Sequence, residues 1–212
     1  MLMDLTVKDF IGEVASNSPA PGGGSVAALS GSLSAALVSM VARLTVNRTE
    51  IDDQERQQMQ QALEQASGLI HSLSEHVDGD TAAFNLVIAA YRLPKDNPLE
   101  REQRSLAIQQ ALQAATELPL RVAEECLDVL GCCREAVRHG NPDALSDAGV
   151  AAVMAHGGVF GALLNVAINL GSIKDPAFRE RLQADRDRIM GEADQIRQEI
   201  MEAMNARLCE SV

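Results

Sequence analysis

The chain predicts an all-α fold: one mainly antiparallel helical bundle over residues 1–212, with long buried central helices. Three observations predict it. Apolar residues recur at helical spacing in every long segment, and no run alternates at the period of a strand. Hydrophobic residues make up 46% of the 212 positions and aromatics only 2%, with no Trp and one Tyr, so the core must be Leu, Val, Ile, Met and Ala. Such a core suits closely packed helices better than a β-sandwich. The connections are short and polar, which favours antiparallel neighbours.

Each helix has its own signals. Thr6 and Asp9 form a capping-box pattern that opens a short helix to about Ser16. Pro19 and Pro21 stop it, because the residue before a proline is pushed out of the α region. Gly22, Gly23 and Gly24 then free the backbone to turn, and Ser25 is placed to cap a second helix running to about Asn47. A third helix spans Asp52 to about Leu93 and is closed by Pro94. A fourth runs from Pro98 towards His139, with Pro119 inside it as a kink and Gly140 as its stop. The fifth covers about Asp143 to Gly171, and the sixth about Asp175 to Cys209.

Val14 to Ala42 carries no charge, and Ala148 to Ile173 holds only His156 as a titratable group. Both exceed the roughly 20 residues that cross a bilayer. They are rich in Gly, Ala, Ser and Asn and lack flanking aromatic belts, so they read as central helices buried on all sides. Small residues four apart (Gly24, Ala28, Ser32, Ala36; Gly157, Gly161) allow close backbone approach.

A net charge of −12 argues against nucleic acid and anionic membrane surfaces as partners. The four cysteines show no CxxC spacing and read as reduced thiols, and the N-terminus lacks the basic and apolar regions of a signal peptide, so a cytoplasmic location is expected. The four histidines fall at no useful mutual spacing, so no metal site is expected.

The third helix carries an apolar stripe, Leu63, Ala66, Ile70, Leu73, Val77, Phe84, Val87 and Tyr91, interrupted once, at Asp80. A carboxylate there points into the core or into a cleft lined by it. Burial raises its pKa towards the range where it exchanges protons near neutrality. The other reading is an aspartate satisfied by a neighbouring helix N-terminus or an arginine. Asp78, two residues earlier, faces the opposite side and is expected in solvent. Asp147, near the start of the fifth helix, suits the positive end of its dipole as well as it suits catalysis. Asn165 and Asn169 share one face of an apolar helix, where they bond neighbouring helices or read the edge of a heterocycle. The Pro21–Ser25 loop is either an anion cradle or a tight corner. It is neither a phosphate-binding Gly-Lys-Ser/Thr loop nor, with no strand before it, a dinucleotide fingerprint.

Taken together, Ala20-Pro21-Gly22-Gly23-Gly24-Ser25-Val26, Met40-Val41-Ala42-x-Leu44-Thr45, Val77-Asp78-x-Asp80-x-x-Ala83-Phe84, Arg92-Leu93-Pro94-Lys95, Gly140-Asn141 with Ser146-Asp147, and Asn165-Val166-x-Ile168-Asn169-Leu170 near Lys174 lie in order over nearly the whole chain. In these motifs the chain resembles the cyclodeaminase/cyclohydrolase domain of formiminotransferase-cyclodeaminase and its free-standing bacterial relatives, including methenyltetrahydrofolate cyclohydrolases. It departs from them at Asn47-Arg48-Thr49, where relatives usually carry Gly followed by two basic residues.

The resemblance implies a homodimer acting on a tetrahydrofolate, polyglutamylated or not, with no cofactor beyond that substrate and no metal. The first reaction implied is the cyclodeaminase one, from 5-formimino- to 5,10-methenyl-tetrahydrofolate with loss of ammonia. The alternative is the cyclohydrolase one, from 5,10-methenyl- to 10-formyl-tetrahydrofolate. Asp80 is the expected proton carrier, with Asp78 and Asp147 behind it. Pro21, Gly22, Gly23, Gly24, Ser25, Asn141, Asn165 and Asn169 are expected at the substrate, and Arg48, Lys95 and Lys174, on their charge alone, at its anionic tail. A non-catalytic helical assembly module is the reading from another class.

Overall fold

A computed structural model describes residues 1–210; the last two residues of the expected 1–212 domain lie outside the described residues. Among these, six α-helices and two short 3-10 turns (Leu2–Asp4 and Pro142–Ala144) account for the regular structure, with no strand. The helices are α1 (Val7–Val14), α2 (Gly23–Val46), α3 (Asp53–Tyr91), α4 (Pro98–His139), α5 (Leu145–Leu170) and α6 (Pro176–Glu210).

Side-chain caps start most of them. The Thr6 hydroxyl accepts the Asp9 N–H, Asp52 accepts from Glu55, and Asn97 accepts from Glu100 with Pro98 in the first helical position. The Asp175 carboxylate accepts the N–H groups of Ala177 and Phe178. The fifth helix begins two residues later than its sequence suggests. Asn141 caps a 3-10 turn that fills the first two positions, and its own N–H donates to Thr45 Oγ1 at 2.8 Å.

Cross-helix contacts fix the directions. Ser25 meets Asp80 and Ser32 meets Ser74, so α3 runs against α2; Ser30 and Ser34 donate to the carbonyls of Met154 and Ala151, so α5 also runs against α2. Ion pairs Arg181–Glu117 and Arg188–Glu124 advance together, so α6 runs parallel to α4. Helix α4 touches the four other long helices; α2 and α5 lie side by side on it, with α3 flanking α2 and α6 flanking α5. Between α3 and α4, half-buried Glu125 accepts from Ser72 Oγ at 2.7 Å and lies 3.1 Å from His76 Nε2.

Small residues set the spacing at the centre. A β-carbon added at Gly158 would come within 2.8 Å of Cys126 Sγ and 3.2 Å of the Ala27 carbonyl oxygen. The thiols of Cys126, Cys132 and Cys133 are buried, and desolvation pushes each up to about 12, so they are packing groups.

Two expectations are corrected. Both apolar helices are long and apolar enough to cross a membrane, but they are not buried on all sides. With α4 beneath and α3 and α6 only at the flanks, one face of the α2–α5 pair stays uncovered. It presents Leu33 and Met40 from α2 and Val153, Phe160, Leu164 and Ile168 from α5. The apolar stripe of α3 also ends one residue early. Ala90 is buried, whereas Tyr91 is 47% exposed, with the Arg104 guanidinium over its ring.

Contrasting packing environments predict opposite signs for one substitution. Gly158→Ala is expected to lower stability by about 1–3 kcal/mol through overpacking. Gly68→Ala, in open space on α3, is expected to raise it by about 0.5–1 kcal/mol through helix propensity. Urea unfolding of the two variants measures both; a shared sign contradicts the packing described.

Candidate active site

The antiparallel register of α2 and α3 lays the Asp80 carboxylate across the first turn of α2. Oδ2 of Asp80 accepts the Ser25 backbone N–H at 2.9 Å and lies 3.1 Å from Ser25 Oγ. The approach requires glycine before Ser25, since a β-carbon on Gly24 would run into the carboxylate. This corrects the loop in two ways. Ser25 is not the cap of α2: Gly22 is, and Ser25 is the third helical residue, its polar groups turned to α3. The glycines are not there to turn the chain either, because no glycine has positive φ; Gly22 is extended and Gly24 serves close approach. The Ala20–Pro21 peptide is cis, and Pro21 is buried in the loop. The helix N-terminus does hold an anion, and the anion is the protein's own.

Asp80 sits between two opposed influences. Desolvation by burial raises its pKa, and the two hydrogen bonds from Ser25 lower it by less, so the carboxyl lies above the ordinary carboxylate range. Ser25 Oγ is also 2.8 Å from the Val77 carbonyl oxygen, which can only accept. When Asp80 is ionised, the serine proton serves the carboxylate. When Asp80 is protonated, the serine donates to Val77 and accepts from the acid. Both protonation states are therefore satisfied without moving a heavy atom, as a group that takes up and gives back a proton requires.

The same carboxylate faces a cavity of about 270 Å³. The glycine loop forms its edge, Phe84, Val87 and Leu112 its apolar wall, and Asn165 and Asn169 its polar wall. Nδ2 of Asn165 donates to the Gly161 carbonyl at 2.8 Å, and Nδ2 of Asn169 donates to the Ala115 carbonyl at 2.9 Å. Leu112 and Ala115, supplied by α4, are the lining residues the sequence reading missed. Pro119, four residues after Ala115, is the signal that was available. A depression of about 470 Å³ among α3, α4 and α6 and an apolar groove of about 580 Å³ between α5 and α6 are larger, but neither contains Asp80 or the asparagines. Among the described residues no three His, Cys, Asp or Glu side chains converge as a metal-ligand set.

The other expected residues are not brought to Asp80. Asp78 is not in solvent: it is half-buried, and its carboxylate accepts the N–H groups of Leu2 at 2.6 Å and Met3 at 3.4 Å, pinning the first turn to α3. Asp147 stands eighteen positions before Asn165 on one helix, about 27 Å along its axis at 1.5 Å per residue. Arg48 follows the far end of α2, lining a different cleft beside His139 and Arg207, and Asn141 is bonded to that same end through Thr45. Lys95 and Lys174 are exposed on the connections after α3 and α5, at the cavity's end of the bundle, with Lys174 Nζ 3.5 Å from Ser105 Oγ.

Comparison with known proteins finds similarity over nearly the whole chain. The family model for formiminotransferase-cyclodeaminase matches residues 6–188. A methenyltetrahydrofolate cyclohydrolase of Methylorubrum extorquens is 36% identical over 203 residues, covering 96% of this chain and 97% of that protein. The formimidoyltransferase-cyclodeaminase of Rattus norvegicus is 39% identical over 194 residues, covering 91% of this chain and 35% of its own length, so the chain spans about a third of that larger protein. The crystal structure of a formiminotetrahydrofolate cyclodeaminase from Thermotoga maritima superposes with a TM-score of 0.87 at 26% identity, covering 98% of this chain and all of that one. The chain belongs to the formiminotransferase-cyclodeaminase family.

Proposed function

We propose that the protein is a folate one-carbon enzyme that closes 5-formimino-tetrahydrofolate to 5,10-methenyl-tetrahydrofolate with release of ammonia. The observation that carries the residue assignment is Asp80: one carboxyl of raised pKa, facing a half-apolar cavity and hydrogen-bonded in both protonation states by Ser25. In the ring closure, the N10 nitrogen attacks the carbon of the formimino group, which enters protonated as an amidinium, forming a C–N bond, and ionised Asp80 takes the proton that N10 loses. The protonated acid then returns that proton to the departing nitrogen, the C–N bond to it breaks, and ammonia leaves. The loop edge and the asparagines orient the pterin, and the apolar wall limits the access of water.

A second reading is favoured by one observation, the near end-to-end coverage between this chain and the M. extorquens cyclohydrolase. There, Asp80 takes a proton from the water that attacks the methenyl carbon and delivers it to N5 as the C–N5 bond opens; the new hydroxyl loses its remaining proton to solvent, leaving neutral 10-formyl-tetrahydrofolate from the cationic methenyl form. Both reactions keep the transferred carbon at one oxidation level, so neither calls for a redox cofactor. Ammonia release from 5-formimino-tetrahydrofolate tests the first, and loss of the near-ultraviolet absorbance of methenyl-tetrahydrofolate tests the second. A protein that accelerates neither refutes the enzyme reading.

The reading extends to assembly and location. The uncovered α2–α5 face carries apolar side chains over most of two long helices, which suits burial against a second copy in a homodimer. A two-fold axis perpendicular to α2 would bring the Arg48 end of one copy to the cavity end of its partner. That would add a cation to Lys95 and Lys174 for a polyglutamate tail. Buried reduced thiols suit a cytoplasmic enzyme.

Four outcomes are expected. Asp80→Asn lowers kcat by about 10²–10⁴, the size of a lost general acid–base, while the protein stays folded. The wild-type rate rises with pH along a limb whose midpoint lies above the ordinary aspartate value of about 3.9, because the first step needs ionised Asp80. Stability shows the opposite trend. A carboxyl whose folded pKa is raised is stabilising relative to its ionised form below the unfolded pKa, and that contribution is lost as pH climbs through the folded value. Melting curves at several pH values are expected to show this decline in the wild type and not in Asp80→Asn. Phe160→Glu, on the apolar face, is expected to give monomers in analytical ultracentrifugation; a wild-type protein that is monomeric, or that needs detergent, contradicts the dimer.

A further inference from the structure

Pro119 is buried in the middle of α4, where a proline breaks the helical ladder at one identifiable atom. It has no N–H, so the carbonyl four residues earlier, that of Ala115, lacks its intrahelical donor, and the ring crowds that carbonyl aside. The Ala115 oxygen instead accepts Asn169 Nδ2 across the α4–α5 interface at 2.9 Å. A carbonyl can only accept, so this bond dictates which end of the Asn169 amide faces α4. Asn165 is held the same way, its Nδ2 on the Gly161 carbonyl. Among the described residues neither Oδ1 accepts a hydrogen bond, and both side chains line the cavity that holds Asp80. The polar wall therefore offers two unfilled carbonyl-type acceptors.

We propose that Pro119 is a positioning residue of the substrate site. By freeing the Ala115 carbonyl it fixes the Asn169 amide, and the oxygens of Asn165 and Asn169 then select the N–H donor edge of a reduced pterin ring rather than its carbonyl. The pterin part rests on the folate reading of the cavity; the link from Pro119 to Asn169 does not. A partner lost from such an acceptor leaves a polar group unpaired, which is selective as well as costly.

Pro119→Ala restores the missing N–H, which bonds the Ala115 carbonyl in competition with Asn169. With whichever folate the wild type turns over, KM is expected to rise about 10-fold while kcat stays within about 2-fold, the pattern of lost binding shared by ground and transition states. Asn169→Ala is expected to raise KM similarly, and Pro119→Ala/Asn169→Ala no further than Asn169→Ala alone. Hydrogen exchange of the Asn169 side-chain amide, followed by ¹⁵N NMR without ligand, is expected to quicken at least 10-fold in Pro119→Ala, an order-of-magnitude loss of protection.

Wild-type KM in Pro119→Ala, or additive effects in the double variant, overturns the positioning role. Unchanged amide exchange overturns the link itself. A wild type that turns over neither folate removes the pterin part, and amide exchange then decides the Pro119–Asn169 link alone, quickened exchange upholding it. Should Pro119→Ala fail to fold, Asn169→Asp, which when ionised cannot donate to a carbonyl, carries the same KM expectation, and a wild-type KM there overturns it.

Discussion

The contact between the Asp80 carboxylate and the first turn of α2 constrains the rest of the molecule. A carboxylate two-thirds of the way along a long helix is placed where its neighbours are apolar, and its burial needs compensation. The compensation is the open end of another helix, where unpaired N–H groups and the dipole favour negative charge. To reach it, the two helices must run antiparallel in one register, the residue before Ser25 must lack a side chain, and α2 must begin without a polar cap of its own. The loop from Pro19 to Gly24 follows from that requirement, and so does the cavity that opens beside it.

The contact also explains how one acid remains both buried and useful. Full neutralisation by an arginine would hold Asp80 ionised, and a fully apolar pocket would hold it protonated. Ser25 does neither. Its hydroxyl has a carbonyl and a carboxyl within reach and one proton to share, so the bonding follows the charge. The asparagines on the facing wall are held by carbonyls of α4 and α5. The cavity lies among four helices, with Asp80 and Phe84 from α3, Leu112 from α4, and the asparagines from α5 beside the loop that opens α2.

Several motif residues stand at the other end of the bundle. Arg48, Asn141 and Asp147 stand near the C-terminal end of α2 and the start of α5, where Asn141 ties the α4–α5 connection to Thr45 in the last turn of α2. Of the three, Asn141 joins the start of α5 to α2. Asp78 similarly turned from a solvated acid into the anchor of the N-terminal turn, because the first residues fold back over α3 and bring two free N–H groups to it.

From the sequence alone came the six helices, the cap at Thr6, and the singling out of Asp80. These depend on local spacing, and spacing along a helix is a property of the chain itself. The family resemblance came the same way, from ordered motifs. Tertiary structure decided everything that depends on a second helix: that Ser25 bonds across instead of capping, that Gly24 serves proximity rather than turning, that α2 and α5 keep one bare face, and that Pro119 offers a carbonyl to Asn169. Register between helices is set by packing over many side chains at once, and a one-dimensional pattern does not carry it.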